Sequence, residues 1–414
     1  MRSRFLALLI NALCWPLLAA SAQENSPVSF QTDFEGGSLG KVETLADDRF
    51  RCHVVGQADE RGRNRQASWY FFRMNGVKHR EVTLLLTNFV GEYNDKPGAC
   101  AMNADTIPVF SVDGERWQHF SAMTWDDERK EATLKFRPEQ DTIWIAHVPP
   151  YTTARLQRLL IETQRRRGAR VEVIGRTVEG RDLHLVTVSE PRGPEGQKRT
   201  VWLMARQHAW ESGTSFVMEG ALRFITSAEP KAAELRRRVV FKFIPMMDPD
   251  GGAGGRVRFN ANGYDVNRHW DEVDPHDAQF ARRMPEIWSV KRAIFDWVDS
   301  GRAVDLMLNL HNTESTEYLQ AQVDDPGVLN RLQSFSDRLV ANTTFAPSRA
   351  LSVSSAPANT TTCLWKERRV PVLLMEQRIG FNQKLGRQAT VEDRLEFGRE
   401  LIIAMAETVL RAVR

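Results

Sequence analysis

With 414 residues, 42% of them hydrophobic and 26% charged, the chain has length for two domains and apolar material for a sizeable core. Its formal charge of +3 arises from 56 basic and 53 acidic residues, which excludes nucleic-acid binding driven by bulk electrostatics. Four cysteines exclude a disulfide scaffold, and none is spaced for a metal cage.

In chain order, Arg2 and Arg4 precede an apolar run from Phe5 to Ala20, and Ala20-Ser21-Ala22 supplies small residues at a cleavage site. This layout predicts a signal peptide over 1–22 and a periplasmic or secreted protein. The run is short for a membrane span and is interrupted by Asn11 and Pro16, and no later segment is long and apolar enough, so no stable membrane insertion is expected. Export would permit a disulfide, with Cys52 and Cys100 the natural pair and Cys363 left free.

From about Val28 to His147, short β-branched and aromatic runs alternate with turns. The runs at 68–73, 81–86 and 142–146 read as strands, and Asp113-Gly114 reads as a tight turn. A small antiparallel β-sandwich is expected over 23–148. Pro149-Pro150-Tyr151 then breaks the pattern, and Thr152 or Thr153 caps a helix running to about Arg167. After it, strands at 170–174, 183–189, 201–205, 239–246, 304–310 and 370–375 alternate with helices at 215–226, 285–298, 328–341 and 391–413. Continuously apolar strands fit a sheet buried on both faces, so 149–414 reads as an α/β domain. The basic runs Arg165–Arg167 and Arg236–Arg238 read as solvated helix ends.

The chemistry gathers where two of these strands end. Strand 201–205 runs into His208-Ala209-Trp210-Glu211, and strand 304–310 ends at His311. Two histidines and one carboxylate are a known catalytic zinc set that leaves a coordination position open. Each piece alone fits a salt bridge or a hydrogen-bonded histidine equally well. Both histidines closing strands of one sheet, where open α/β folds place their sites, is what joins them.

These residues and their order resemble the M14 metallocarboxypeptidases from about Tyr151 to the C-terminus. Ile174-Gly-Arg-Thr-Val-Glu-Gly-Arg181 is similar to a family segment, as are His208-Ala-Trp-Glu211 and Pro245-Met-Met-Asp-Pro-Asp-Gly251, where Asp248 replaces an asparagine. Arg258, Gly263-Tyr-Asp-Val-Asn-Arg268, Asn309-Leu-His311 and Leu374-Met-Glu376 complete the set. The β-rich first half resembles that of the cytosolic-carboxypeptidase branch. The resemblance implies a mixed, mostly parallel sheet covered by helices. It implies one Zn²⁺ held by His208, Glu211 and His311, Glu376 as general base, and Arg258 stabilising the oxyanion. Asn267 and Arg268 would grip the terminal carboxylate of a peptide substrate.

The sequence departs from the family at Trp210, which is expected to place a bulky ring beside the metal. No tyrosine occurs between Ser352 and Arg369, where digestive members carry one; Asn359 to Trp365 offers small polar residues as pocket lining instead. Lys366, Arg368 and Arg369 either favour acidic side chains there or face solvent. Two readings compete with a zinc carboxypeptidase: an inactive relative that binds peptide or glycan, and an amidase or esterase acting on a non-peptide carboxylate.

Overall fold

The computed structural model describes residues 27–190, 198–354 and 356–411. In its first half the alternating strands form two five-stranded sheets. One joins Ser29–Gln31, Phe71–Asn75, Thr142–Ala146, Val109–Ser111 and Gln118–His119, all antiparallel. The other joins Thr124–Asp126, Glu131–Phe136, Val82–Thr87, Arg49–His53 and Val42–Ala46, antiparallel except for Arg49–His53 beside Val82–Thr87. Inward residues of both sheets, among them Phe50, Phe72, Leu84, Leu134 and Ile145, close one core. Cys52 is buried in that core and Cys100 lies on the Lys96–Cys100 ribbon strand; both are free thiols, so the expected disulfide is absent.

The second half is built on one eight-stranded sheet. Its order is Ala169–Arg176, Asp182–Val188, Val239–Ile244, Arg199–Met204, Leu306–Thr313, Val372–Arg378, Tyr318–Ala321, Ser352–Val353. The central four strands are mutually parallel and almost wholly buried, as their unbroken apolar runs require. Helices cover both faces. Thr153–Gln164, Ser212–Ile225, Pro326–Asn342 and Val391–Arg411 pack against one, and Pro285–Asp299 and Thr360–Arg368 against the other.

From Arg199–Met204 the chain passes to Val239–Ile244 on one side and later to Leu306–Thr313 on the other. The strand order reverses there, and the carboxyl ends of the two strands open a crevice. Leu306–Thr313 runs three residues past its expected end, so His311 lies within the strand rather than after it. Arg236 also differs from the reading of a solvated helix end: it is buried, and its Nη1 donates to Ile225 O and Ser227 O.

A fourth apolar cluster joins the halves. Trp69, Phe71, Val109, Trp117, Ala146 and Val148 of the sandwich pack with Trp210, Val257 and Ile379. Trp210 is therefore corrected: its ring is buried in this seam, with its centroid 5.9 Å from that of His147.

Candidate metal centre

After Met204 the chain leaves the sheet through Arg206, a buried residue in the left-handed region at φ 60°. Its guanidinium holds this turn by donating to Ala209 O, Tyr151 O and Ser215 Oγ. The turn swings His208 and Glu211 back over the sheet edge, and Glu211 then leads into Ser212–Ile225. His311 arrives from the neighbouring strand. The three residues are at most 2% exposed, and one ligand atom from each lies within 4.8 Å of the others.

Hydrogen bonds fix which imidazole nitrogens face inward. Asp265 Oδ1 lies 3.2 Å from His208 Nε2, and an ionised carboxylate can only accept, so that nitrogen carries the proton. Gln207 Oε1 lies 3.1 Å from His311 Nε2, and Asn309 Nδ2 donates to the same oxygen at 2.6 Å. Gln207 Nε2 is spent on Val266 O and Thr360 Oγ1, so the amide cannot be turned round and His311 Nε2 is the donor. Both Nδ1 atoms therefore turn lone pairs toward Glu211. They stand 2.7 Å and 3.0 Å from Glu211 Oε1 and Oε2. Acceptors this close call for a shared cation, and two imidazole nitrogens with one carboxylate suit Zn²⁺. Burial works against the charge of Glu211, and it is positive charge on the two imidazoles, in the place a shared cation would take, that holds its carboxyl below the usual carboxylate range.

Glu376 stands opposite His311 in the pairing of Leu306–Thr313 with Val372–Arg378, and opposite Tyr318 in the antiparallel pairing on its other side. Cross-strand partners share a sheet face, so these three side chains project into one crevice. Glu376 Oε2 is shielded and has no hydrogen-bond partner. Burial and then the charge of Glu211 push its carboxyl well up, against the opposing pull of Arg258. Arg378, the neighbour that could have neutralised Glu376, pairs instead with Asp105 at 2.7 Å.

Arg258 Nε donates to Asp265 Oδ2 at 2.7 Å, so Asp265 grips Arg258 and His208 together. Burial opposes ionisation of Asp265, but Arg258 and His208 hold it well below the usual range. Asn267 is buried, with Oδ1 taken by Thr360 Oγ1 at 2.9 Å and Nδ2 at 3.4 Å from His311 Nε2. Arg268 is half-buried and bonds the adjacent Asn267 carbonyl at 2.8 Å. Six of the seven residues expected at the site are thus joined by direct contact, through Asp265 or by cross-strand pairing, and Arg268 reaches them only through the Asn267 carbonyl. Lys366, Arg368 and Arg369 do not: the two arginines pair with Asp299 and Asp324 at the far end of their helix.

Asp265, Gln207, Glu314 and Tyr318 were not foreseen as parts of the site. Asp265 sits inside the Gly263–Arg268 motif and was legible in principle. Glu314, held by Ser68 of the sandwich at 2.8 Å and pushed to about 7 by burial, depends on a domain contact that no local pattern encodes.

The chain matches the zinc carboxypeptidase family over residues 157–342 and the cytosolic carboxypeptidase N-terminal domain over 30–148. Its second half is thus similar to the M14 zinc carboxypeptidases and its first to the domain that precedes them in the cytosolic branch. Among curated proteins similar to this chain is cytosolic carboxypeptidase 6 of Mus musculus, 28% identical over 299 residues, a match spanning 69% of this chain and 53% of that one. The chain thus covers about half the length of that relative. In fold it is similar to a metallo-carboxypeptidase from Burkholderia cenocepacia, with a TM-score of 0.80 at 24% identity, covering 93% of this chain and 100% of the other. A metallo-carboxypeptidase from Pseudomonas aeruginosa in complex with (2-guanidinoethylmercapto)succinic acid gives 0.78 at 22% identity, covering 93% and 100%. The relatives overturn one expectation. The first domain matches the N-terminal domain of cytosolic carboxypeptidases, and curated relatives such as cytosolic carboxypeptidases 6 and 3 of Mus musculus carry that name, which points to the cytosol rather than to export. The segment read as a signal, 1–22, lies outside the described residues.

Proposed function

We propose that this carboxypeptidase removes residues from the C-terminus of peptides, with one zinc ion held by His208 Nδ1, His311 Nδ1 and Glu211, and that 149–414 is the catalytic domain behind a sandwich domain ending at 148. The observation that carries the reading is the convergence of three buried ligand atoms next to an unpartnered Glu376 carboxylate on the same sheet face. Zinc bound there would supply an acidified water and polarise the scissile carbonyl. The remaining work belongs to the chain. Glu376 Oε2 takes a proton from the attacking water and returns it to the leaving amine. Arg258 faces the charge that develops on the carbonyl oxygen, where a fixed cation in a shielded site acts most strongly. Asn267 Nδ2 and the fork of Arg268 hold the terminal carboxylate, which makes the reaction exopeptidic.

The test is release of C-terminal amino acids from a mixed peptide library by zinc-loaded protein. Parallel runs use a chelator and the Glu376→Gln variant. Release should require both the metal and Glu376, with a loss in the variant of about 10²-fold or more at unchanged zinc content. Zinc-loaded protein that releases nothing from any peptide sinks the reading, and equal turnover by Glu376→Gln removes the base assignment.

A further inference from the structure

The segment that carries Arg258 belongs to no sheet ladder. Val257, Arg258 and Phe259 run as irregular chain between the short helix Pro249–Ala253 and an isolated bridge of Phe259 with Asp265. Backbone N–H groups shielded from water need partners, and successive ones can form a concave set of donors around a single acceptor. Here the acceptor comes from the other half of the molecule. Gln57 Oε1 accepts from the backbone N–H groups of Val257, Arg258 and Phe259 at 2.9, 2.8 and 2.9 Å. Gln57 Nε2 donates to Phe259 O at 2.6 Å, which fixes the amide orientation. The backbone of Gln57 is itself tied to Gln66 by two hydrogen bonds of 2.7 and 2.8 Å, so the side chain reaches out from an anchored position.

We infer that Gln57 is a positioning residue for the reaction, setting where Arg258 stands in the crevice. This rests on the oxyanion reading of Arg258. One carboxamide orders three consecutive peptide groups around that arginine. The arginine Nε then meets Asp265, whose other oxygen meets His208 Nε2. A line of direct contacts thus runs from the sandwich to a metal-facing histidine. The duller alternative is that Gln57 only helps glue the two halves. That task is already carried by the buried seam of Trp69, Phe71, Trp117, Val148, Trp210 and Val257. In the oxyanion segment the Val257 side chain sits in that seam and its carbonyl accepts from Trp210 N at 3.0 Å, but the three N–H groups lie off every ladder and share Gln57 Oε1 as acceptor.

Gln57→Met keeps the bulk and removes both the acceptor and the donor, while Gln57→Glu keeps an acceptor for the three N–H groups. In zinc-loaded protein Gln57→Met should lower kcat by up to about 10²-fold, the scale of a misplaced catalytic group, with KM changed by less than about threefold. Gln57→Glu should restore most of kcat. In an Arg258→Ala background Gln57→Met should cost no further kcat, since both act through one group. Hydrogen exchange at the amides of 257–259 reads the clamp without turnover; it should quicken in Gln57→Met and return toward the parent rate in Gln57→Glu. Unchanged exchange in Gln57→Met, or equal kcat losses with and without Arg258, would overturn the inference. Full kcat in Arg258→Ala would instead remove the oxyanion assignment and this inference with it, a result separate from failure of Gln57 alone.

Discussion

Asp265 shows how one side chain governs two others. Its carboxylate is shared between His208 Nε2 at 3.2 Å and Arg258 Nε at 2.7 Å, and its Oδ1 also accepts from Asn267 N at 2.9 Å. Outer partners of this kind fix the tautomer and basicity of a ligating histidine, and their loss commonly weakens metal binding by about 10–100-fold. Asp265→Ala should therefore reduce zinc affinity by that factor, measured by competition with a calibrated chelator, and should also lower kcat because Arg258 is released. A variant that binds zinc as the parent does would disconnect Asp265 from the metal. At this scale the sequence was informative where a residue type has few uses. Two histidines and a glutamate at strand ends suggested a metal set, while Glu376, a lone acid after an apolar strand, was singled out only by resemblance to a family motif. Trp210 was misread because proximity in sequence to His208 says nothing about direction. The turn at Arg206 sends the histidine toward the crevice and the indole into the seam between the domains.

Helix Ser212–Ile225 begins where Glu211 ends, so whatever seats the helix also seats this proposed ligand. It crosses Val391–Arg411 so closely that a methyl group on Gly220 would lie 1.9 Å from Leu395 O, and one on Gly398 would lie 2.0 Å from Val217 O. Neither neighbour is a flexible side chain that can step aside. Alanine gains about 1 kcal/mol of helix propensity over glycine, while forcing two packed backbones apart costs about 1–3 kcal/mol or more. The clash wins, and Gly220→Ala should lose stability in urea unfolding; a gain would mean that the helices separate freely. The fold's long elements were legible because their periodicity is strong. Val391–Arg411 buries Phe397, Leu401, Ile402, Met405 and Val409 on one stripe. The short helix Thr360–Arg368 escaped notice: its buried residues run from Thr360 to Trp365 without a stripe, so no helical period exists to find. Its start was nonetheless written in Asn359, whose side chain accepts from Thr362 N as an N-cap. The strand Tyr318–Ala321, only four residues long, left no signal either, yet it brings Tyr318 beside Glu376.

For the whole molecule, buried acids decide how stability responds to pH. Glu286 sits in the first turn of Pro285–Asp299, fully buried, and accepts from Asn260 Nδ2 at 2.8 Å. Burial pushes its carboxyl from 4.5 up to about 7, against the pull of Asn260, with the charge of Asp250 adding to the rise. The native state therefore holds this proton more tightly than the unfolded chain does. Stability from Glu286 is complete below pH 4.5 and is lost as pH climbs to about 7, above which both states are ionised and the loss levels off. A shift of that size corresponds to roughly 3 kcal/mol across the window, most of it desolvation of the carboxylate. Glu286→Gln cannot ionise, so its unfolding free energy should fall less than the parent's between pH 4.5 and 7. The comparison belongs in the slope, because the amide also disturbs the contact with Asn260 and shifts both ends of the curve alike. Urea titrations of apo protein at several pH values give that slope directly, and parallel curves for parent and variant would mean that Glu286 is ionised throughout and stabilised by partners other than Asn260 and the backbone of Val178.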